Sequence, residues 1–436
     1  MKLEFVVGND IGNSEQAIYI DGKLIRQPNV YAGAVSIPWT DDETDVPKNL
    51  KNIYDSLVVS IISSAIPTGT YLIGRHALKT VGENVTSLYV KGNNAKSDQL
   101  IPYINTLGTI AARAVEKAYE TGTLPDSITV RSDQAIALPV KQHTPRNVET
   151  LQSKFMSGSH NVTVHLGLTK KVDVKIEFDY VQVLQEGTPP VFALQMDRES
   201  NWRTDSYEPE LTTKTKEKGK INVTNTGLFE EFAAEYKLGD IDGNYLDGKN
   251  LLHADLGDGT SDFPFTRGDS VDKDFCHGVN HGVGHAIVEA VDDLLVLAPH
   301  AFNSISRQQY SDILISGFSA RKHKFYQEAK QAFQPHLDNQ VNQIMQHISD
   351  QVLKIGANEI DIIVVYGGGS ILMRESILPR LKTLADNNRI QLFYVPAKYA
   401  VTLNAEGLDW FVRSPLYSKL KEVYKETAKR VAAASE

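Results

Sequence analysis

The sequence holds a single cysteine, Cys276, so no intrachain disulfide can form and a reducing cytoplasm is the expected setting. No apolar run approaches the roughly 20 residues that a membrane-spanning helix needs. The opening Met1-Lys2-Leu3-Glu4 runs straight into an apolar strand without a signal-peptide pattern. Positive charge is in deficit. The formal net charge of −9 argues against a broad surface for nonspecific DNA binding. One basic cluster, Arg321-Lys322-His323-Lys324, reads as the solvated start of a helix. Three phosphate or nucleophile signatures are also missing: a GxxxxGK(S/T) loop, a GxGxxG turn opening a βαβ unit, and a GxSxG elbow. His277, His281 and His285 recur every fourth residue, but Gly278, Gly282 and Gly284 make a poor helix there. No second ligand cluster appears, so zinc is not the expected reading.

What is present is a chain of 436 residues, long enough for two to three domains, in which strands alternate with helices. Strands are expected over 3–8, 17–20, 128–140, 251–256 and 360–366, with further strand alternation between 160 and 195. Helical spacing marks 104–121, 145–155, 283–297, 325–354 and 416–434, and polar 201–226 reads as a surface excursion. Three strands run directly into glycine turns, at Gly12, Gly257 and Gly367, and ligands sit at the carboxyl ends of strands in open α/β sheets.

Two of those turns share one form. Asp10-Ile11-Gly12-Asn13-Ser14 and Asp255-Leu256-Gly257-Asp258-Gly259-Thr260 both read Asp-apolar-Gly followed by small polar residues. Glycine lets backbone amides approach a phosphate, and Ser or Thr hydroxyls add donors. An aspartate beside a polyanion needs a cation between them, and magnesium accepts carboxylates, waters and phosphates together. Two such loops facing each other would clamp one nucleotide.

In order and spacing these motifs resemble the actin, heat-shock chaperone and sugar kinase superfamily. Phosphate 1 corresponds to Asp10–Ala17, connect 1 to Ala135–Pro139, phosphate 2 to Asp255–Asp262, connect 2 to Gly282–Ala286, and the adenosine motif to Val364–Ser370. The Asp-Ile-Gly-Asn start, Tyr71–Leu78, Leu138-Pro139 and Asn404–Leu408 are similar to the ParM-type, plasmid-segregating bacterial actins. The resemblance implies an α/β, actin-like fold of two related domains, each a mixed sheet flanked by helices, with the nucleotide in the cleft between them. Domain I would span 1–145 plus about 400–436. Domain II would span 146–399, with an extended 190–250 insertion that the ParM likeness does not cover.

The same resemblance implies an ATPase whose hydrolysis is coupled to polymerisation, with GTP as the alternative nucleotide. Asp10 and Asp255 would face Mg2+ through water. Gly12, Asn13 and Ser14, with Gly257, Asp258, Gly259 and Thr260, would hold the phosphates. Gly367, Gly368 and Gly369 would pass under the adenosine, and Lys330 would flank the adenine. Glu149 would orient the attacking water. The expected partners are further copies of the chain in a filament and a DNA-bound adaptor that supplies sequence recognition, with no membrane. Two alternatives belong to the same superfamily: a small-molecule kinase, and a cell-shape or division actin of the MreB or FtsA type.

Overall fold

The computed structural model describes residues 1–38, 44–88, 94–205, 207, 226–268 and 270–435. Strands β1 (Lys2–Ile11), β2 (Glu15–Ile20), β3 (Lys23–Pro28), β4 (Val30–Ala34), β5 (Val58–Ser63), β6 (Ile66–Ile73), β7 (Thr86–Ser87), β8 (Ser127–Leu138), β9 (Ser159–His165) and β10 (Lys171–Gln185) form one sheet. Its order is β3-β2-β1-β8-β10-β9-β5-β6-β4-β7. The centre is parallel, β1 against β8 and β8 against β10, and its strands carry Phe5, Val7, Val130, Ile136, Ile176 and Val183 into the core. The helix Ile101–Tyr119 lies against this sheet and buries Ile104, Leu107, Ile110 and Val115, the spacing that predicted it.

A second sheet is built from β11 (Asn250–Leu256), β12 (Ser261–Phe263), β13 (Phe265–Arg267), β14 (Ser270–Val271), β15 (His277–Val279), β16 (Ile362–Tyr366) and β17 (Gln391–Tyr394). β12 and β13 pair successive stretches of β11 and are separated by Pro264, so they act as one interrupted strand. Counted that way, β15, β12/β13, β11, β16 and β17 repeat the order and direction of β3, β2, β1, β8 and β10. The helices Val283–Leu297, Tyr326–Ile355 and Gly368–Asn388 cover one face.

One expectation needs correction. The boundary at 145/146 falls inside the first sheet: β9 and β10 pair with β5 and β8, so that sheet runs on to Gln185. The chain crosses to the second sheet through Glu186 and the helix Pro189–Gln195. Within the 190–250 insertion, Leu194, Phe229, Phe232 and Leu246 pack against Val364, Tyr366 and Phe393 and cover the other face of the second sheet. Of the polar stretch 201–226, residues 206 and 208–225 lie outside the described residues, whereas Arg203 is fully buried against Glu406 at 2.7 Å.

The helix Leu403–Arg413 returns to the first sheet and crosses β1 at Gly8, where an added Cβ would overlap the backbone of Asp409. The same helix carries Asn404, whose Nδ2 donates to Asp255 Oδ2 at 2.8 Å. Gly8→Val is therefore expected to push the helix off β1 and lower unfolding stability by about 1–3 kcal/mol or more. Urea denaturation checks this; an unchanged midpoint would show that the helix does not rest on β1.

Candidate functional site

The turns closing β1 and β11 have the same construction. Asp10 pairs with Ala17 and Asp255 with Asp262. A Cβ on Gly12 would stand 2.7 Å from the Glu15 carbonyl, and one on Gly257 would stand 2.6 Å from that of Thr260. Other elements take the loop carbonyls. In the second loop, Val283 N–H donates to Gly257 O at 3.4 Å, Gly284 N–H to Asp258 O at 2.7 Å, and His285 Nε2 to Gly259 O at 2.9 Å. In the first, Ile11 O accepts from Lys96 Nζ at 2.8 Å, Gly12 O from Asn29 Nδ2 at 2.6 Å and Asn13 O from Arg307 Nη2 at 2.9 Å.

A trans peptide points its N–H opposite to its C=O. Pulling the carbonyls back therefore turns the following amides forward. The N–H groups of Asn13, Ser14, Asp258, Gly259 and Thr260 find no acceptor among the described residues. Asn13, Gly259 and Thr260 line one cavity, together with Lys96, Gln142 and Asn280. The sequence-predicted phosphate residues of both loops are thus brought together.

Beneath the loops lies a surplus of carboxylate. Asp10, Asp255 and Glu186 converge on Lys96, whose Nζ pairs with Glu186 Oε1 at 2.6 Å, and Asp262 adds a further carboxyl beside Glu186 and Asp255. Asp262 Oδ1 accepts from the Val140 amide at 2.9 Å, just beyond Leu138-Pro139, so the expected connect 1 residues end at the cleft floor. Asp10 keeps some exposure to the cleft, but the walls withdraw its carboxyl from bulk water. Burial first, then Glu186, raises its pKa to about 8. Burial also raises Asp255 to about 7, against the opposing hydrogen bond from Asn404.

Unpaired carboxylates call for a cation and free amides call for an anion, so a magnesium–triphosphate fits this donor set. Among the described residues no three His, Cys, Asp or Glu side chains are placed to cage a metal directly, which leaves coordination through water and phosphate.

The glycine triplet divides its work. A Cβ on Gly367 or Gly369 would stand 2.5 Å from Asp255 Oδ1 or Gly257 O respectively, so both let the helix Gly368–Asn388 seat on the second loop. Gly368 is exposed and meets nothing, so it faces open space. Lys330 pairs with Glu375 at 2.9 Å. Both line a cavity of about 230 Å³ with Gly317, Tyr326, Ile371 and Ser376. Glu149 stands exposed just past the first turn of the helix Pro145–Met156.

Sequence reasoning missed Lys96, Glu186, Arg307 and Asn404. Glu186-Gly187 closes β10 as Asp10 and Asp255 close theirs, an acid followed by glycine at a strand end, and that pattern was readable. Lys96 and Arg307 carry no local signal, and Asn404 opens the Asn404–Leu408 likeness without being marked there as a site residue.

No family model and no curated protein matches the chain. Solved structures do. The actin-like protein Alp7A aligns over 99% of this chain and 100% of its own, at 16% identity and a TM-score of 0.59. The archaeal actin homologue Ta0583, in complex with ADP, aligns over 94% and 99%, at 15% identity and a TM-score of 0.54. Bacillus thuringiensis ParM with ADP aligns over 94% and 98%, at 15% identity and a TM-score of 0.54. The fold is therefore actin-like, and the expected architecture holds.

Asp10 and Asp255 are acids whose folded pKa values lie above the unfolded ones near 4. Their contribution to stability is complete below about pH 4 and is lost as pH rises through 7 to 8. Ligand-free protein should show a Tm that falls between about pH 4 and 8 and levels off above, and Asp10→Asn should raise Tm at the upper end and flatten the slope. Calorimetry that finds a variant as steep as wild type would remove Asp10 as the source.

Proposed function

We propose that this chain binds ATP with Mg2+ between its two loops, hydrolyses it, and polymerises into filaments of the plasmid-segregating kind. The observation that carries the nucleotide reading is the set of five amides without an acceptor among the described residues, two on one loop and three on the other, of which Asn13, Gly259 and Thr260 line one cavity. Filament formation and DNA segregation draw support from the ParM-like sequence features and from the actin-like neighbours. A DNA-bound adaptor supplies recognition that this acidic chain lacks. No described helix is long and apolar enough to cross a membrane.

Asp10 and Asp255 would hold Mg2+ through its waters, and the ion would neutralise charge on the phosphate oxygens as they are displaced. The chain's own part is positional. The amides of Asn13 and Ser14 and those of Asp258, Gly259 and Thr260 grip the phosphates from opposite sides. Gly368 leaves room beneath the adenosine, and Lys330 and Glu375 border the base. Lys96 holds the Glu186 carboxylate at the cleft floor, where it can orient a water and accept its proton. Glu149 is the second candidate for that role and would have to reach the cleft from its exposed helix start.

Two substitutions separate the candidates. If Glu186 is the base, Glu186→Gln lowers phosphate release from Mg·ATP by about 10²-fold or more while nucleotide binding persists. Glu149→Gln then stays near wild type; the reverse pattern moves the role to Glu149. Polymerisation is read by light scattering and pelleting with Mg·ATP. Protein that turns over ATP without any acceptor yet stays in the supernatant at every concentration would refute the filament reading. Release that requires a sugar or carboxylate acceptor would make the chain a kinase.

A further inference from the structure

Arg307 opens the helix Arg307–Ile315 and touches both phosphate loops. Its Nη1 donates to Asp258 Oδ2 at 2.6 Å and its Nη2 to the Asn13 carbonyl at 2.9 Å. Both side chains are largely buried, 13% exposed for Arg307 and 11% for Asp258. A capping box at Ser306 and Gln309 fixes the start of the helix, so the guanidinium projects from a rigid base. Asp258 and this helix belong to the second domain; Asn13 belongs to the first. Only the bond to Asn13 spans the cleft. Further along the same helix, Asp312 lies near Arg75 and Glu15 of the first domain, with Arg75 attracting it and Glu15 opposing. The helix therefore lies across the cleft mouth.

We infer that Arg307 is a positioning residue that latches the nucleotide cleft shut and sets the rate of nucleotide exchange. The inference rests on the nucleotide reading above. When the domains part, Asp258 travels with Arg307 and keeps one arm of the guanidinium in place, while the bond to Asn13 breaks. On closure the same arm returns the fork to Asn13. The planar fork is what allows one side chain to hold both loops, and a lysine ammonium at the end of a flexible stem lacks that fixed geometry.

The test is displacement of a fluorescent ATP analogue by unlabelled ATP, with Mg2+ present, followed by stopped flow. Arg307→Lys keeps the charge beside Asp258 but loses the two-loop grip. It should speed dissociation roughly tenfold, the scale of one charge-assisted bond, while association and Tm stay near wild type. Arg307→Gln, a neutral and shorter side chain, should shift dissociation in the same direction. Dissociation at the wild-type rate in both variants, or weaker binding that comes from slower association alone, overturns the latch and leaves the nucleotide site standing. A wild-type chain that takes up no analogue overturns the nucleotide reading and the latch with it.

Discussion

A peptide unit carries an acceptor on one side and a donor on the other, and the site depends on which side is already occupied. In both loops the acceptor side is taken. Helix Val283–Leu297 and His285 hold the carbonyls of the second loop, and Lys96, Asn29 and Arg307 hold those of the first. Donors are left facing the cleft without any basic residue having to supply them. That is why the site needs neither a phosphate-loop lysine nor a GxGxxG helix start. The glycines are required by close packing: Gly12 and Gly257 sit under the next carbonyl of their own turns, and Gly367 and Gly369 seat a helix against the second turn.

The arrangement leaves the ligand-free cleft electrostatically incomplete. Asp10, Asp255 and Glu186 share Lys96, and Lys96 gives one of its bonds to Ile11 O. Burial raises Asp10, Asp255 and Asp262 toward the protonated form. The acids therefore oppose the empty fold at neutral pH and favour a bound cation. Strain of this kind at a cleft is expected where the residues are kept for binding rather than for stability.

The fold and the two loops were legible because each is a local pattern. An apolar strand followed by Asp-x-Gly describes the β1 and β11 turns within a few residues, and the helix 101–119 announces itself by spacing. Sheet membership is different. β9 and β10 read as strands, but their pairing with β5 and β8 joins residues about a hundred and about 46 positions apart respectively, and is fixed by side chains that periodicity does not rank. Lys96, Arg307 and Asn404 are ordinary polar residues in sequence. They become part of the site only through contacts of 85, 294 and 149 positions in separation. The 190–250 region was opaque for the reverse reason, since its apolar residues are few and scattered, yet they cover a whole face of the second sheet.

The repeated strand order makes the two halves alike, and alike halves need something unlike to join them. Two connections do this beneath the cleft: the Glu186–Gln195 crossing, and the helix Leu403–Arg413 that returns. The returning helix rests on β1 at Gly8 and holds Asp255 at the end of β11 through Asn404, so it touches both central strands. Arg203, just beyond the crossing, pairs with Glu406 on the returning helix in near-complete burial, and removing one partner from such a pair leaves a costly buried charge. The base of the cleft is thereby stiff, while its mouth is closed by one guanidinium. Rotation about the stiff end moves the mouth most. The few bonds at Arg307 then oppose a lever whose other end carries the carboxylates that a bound cation draws together.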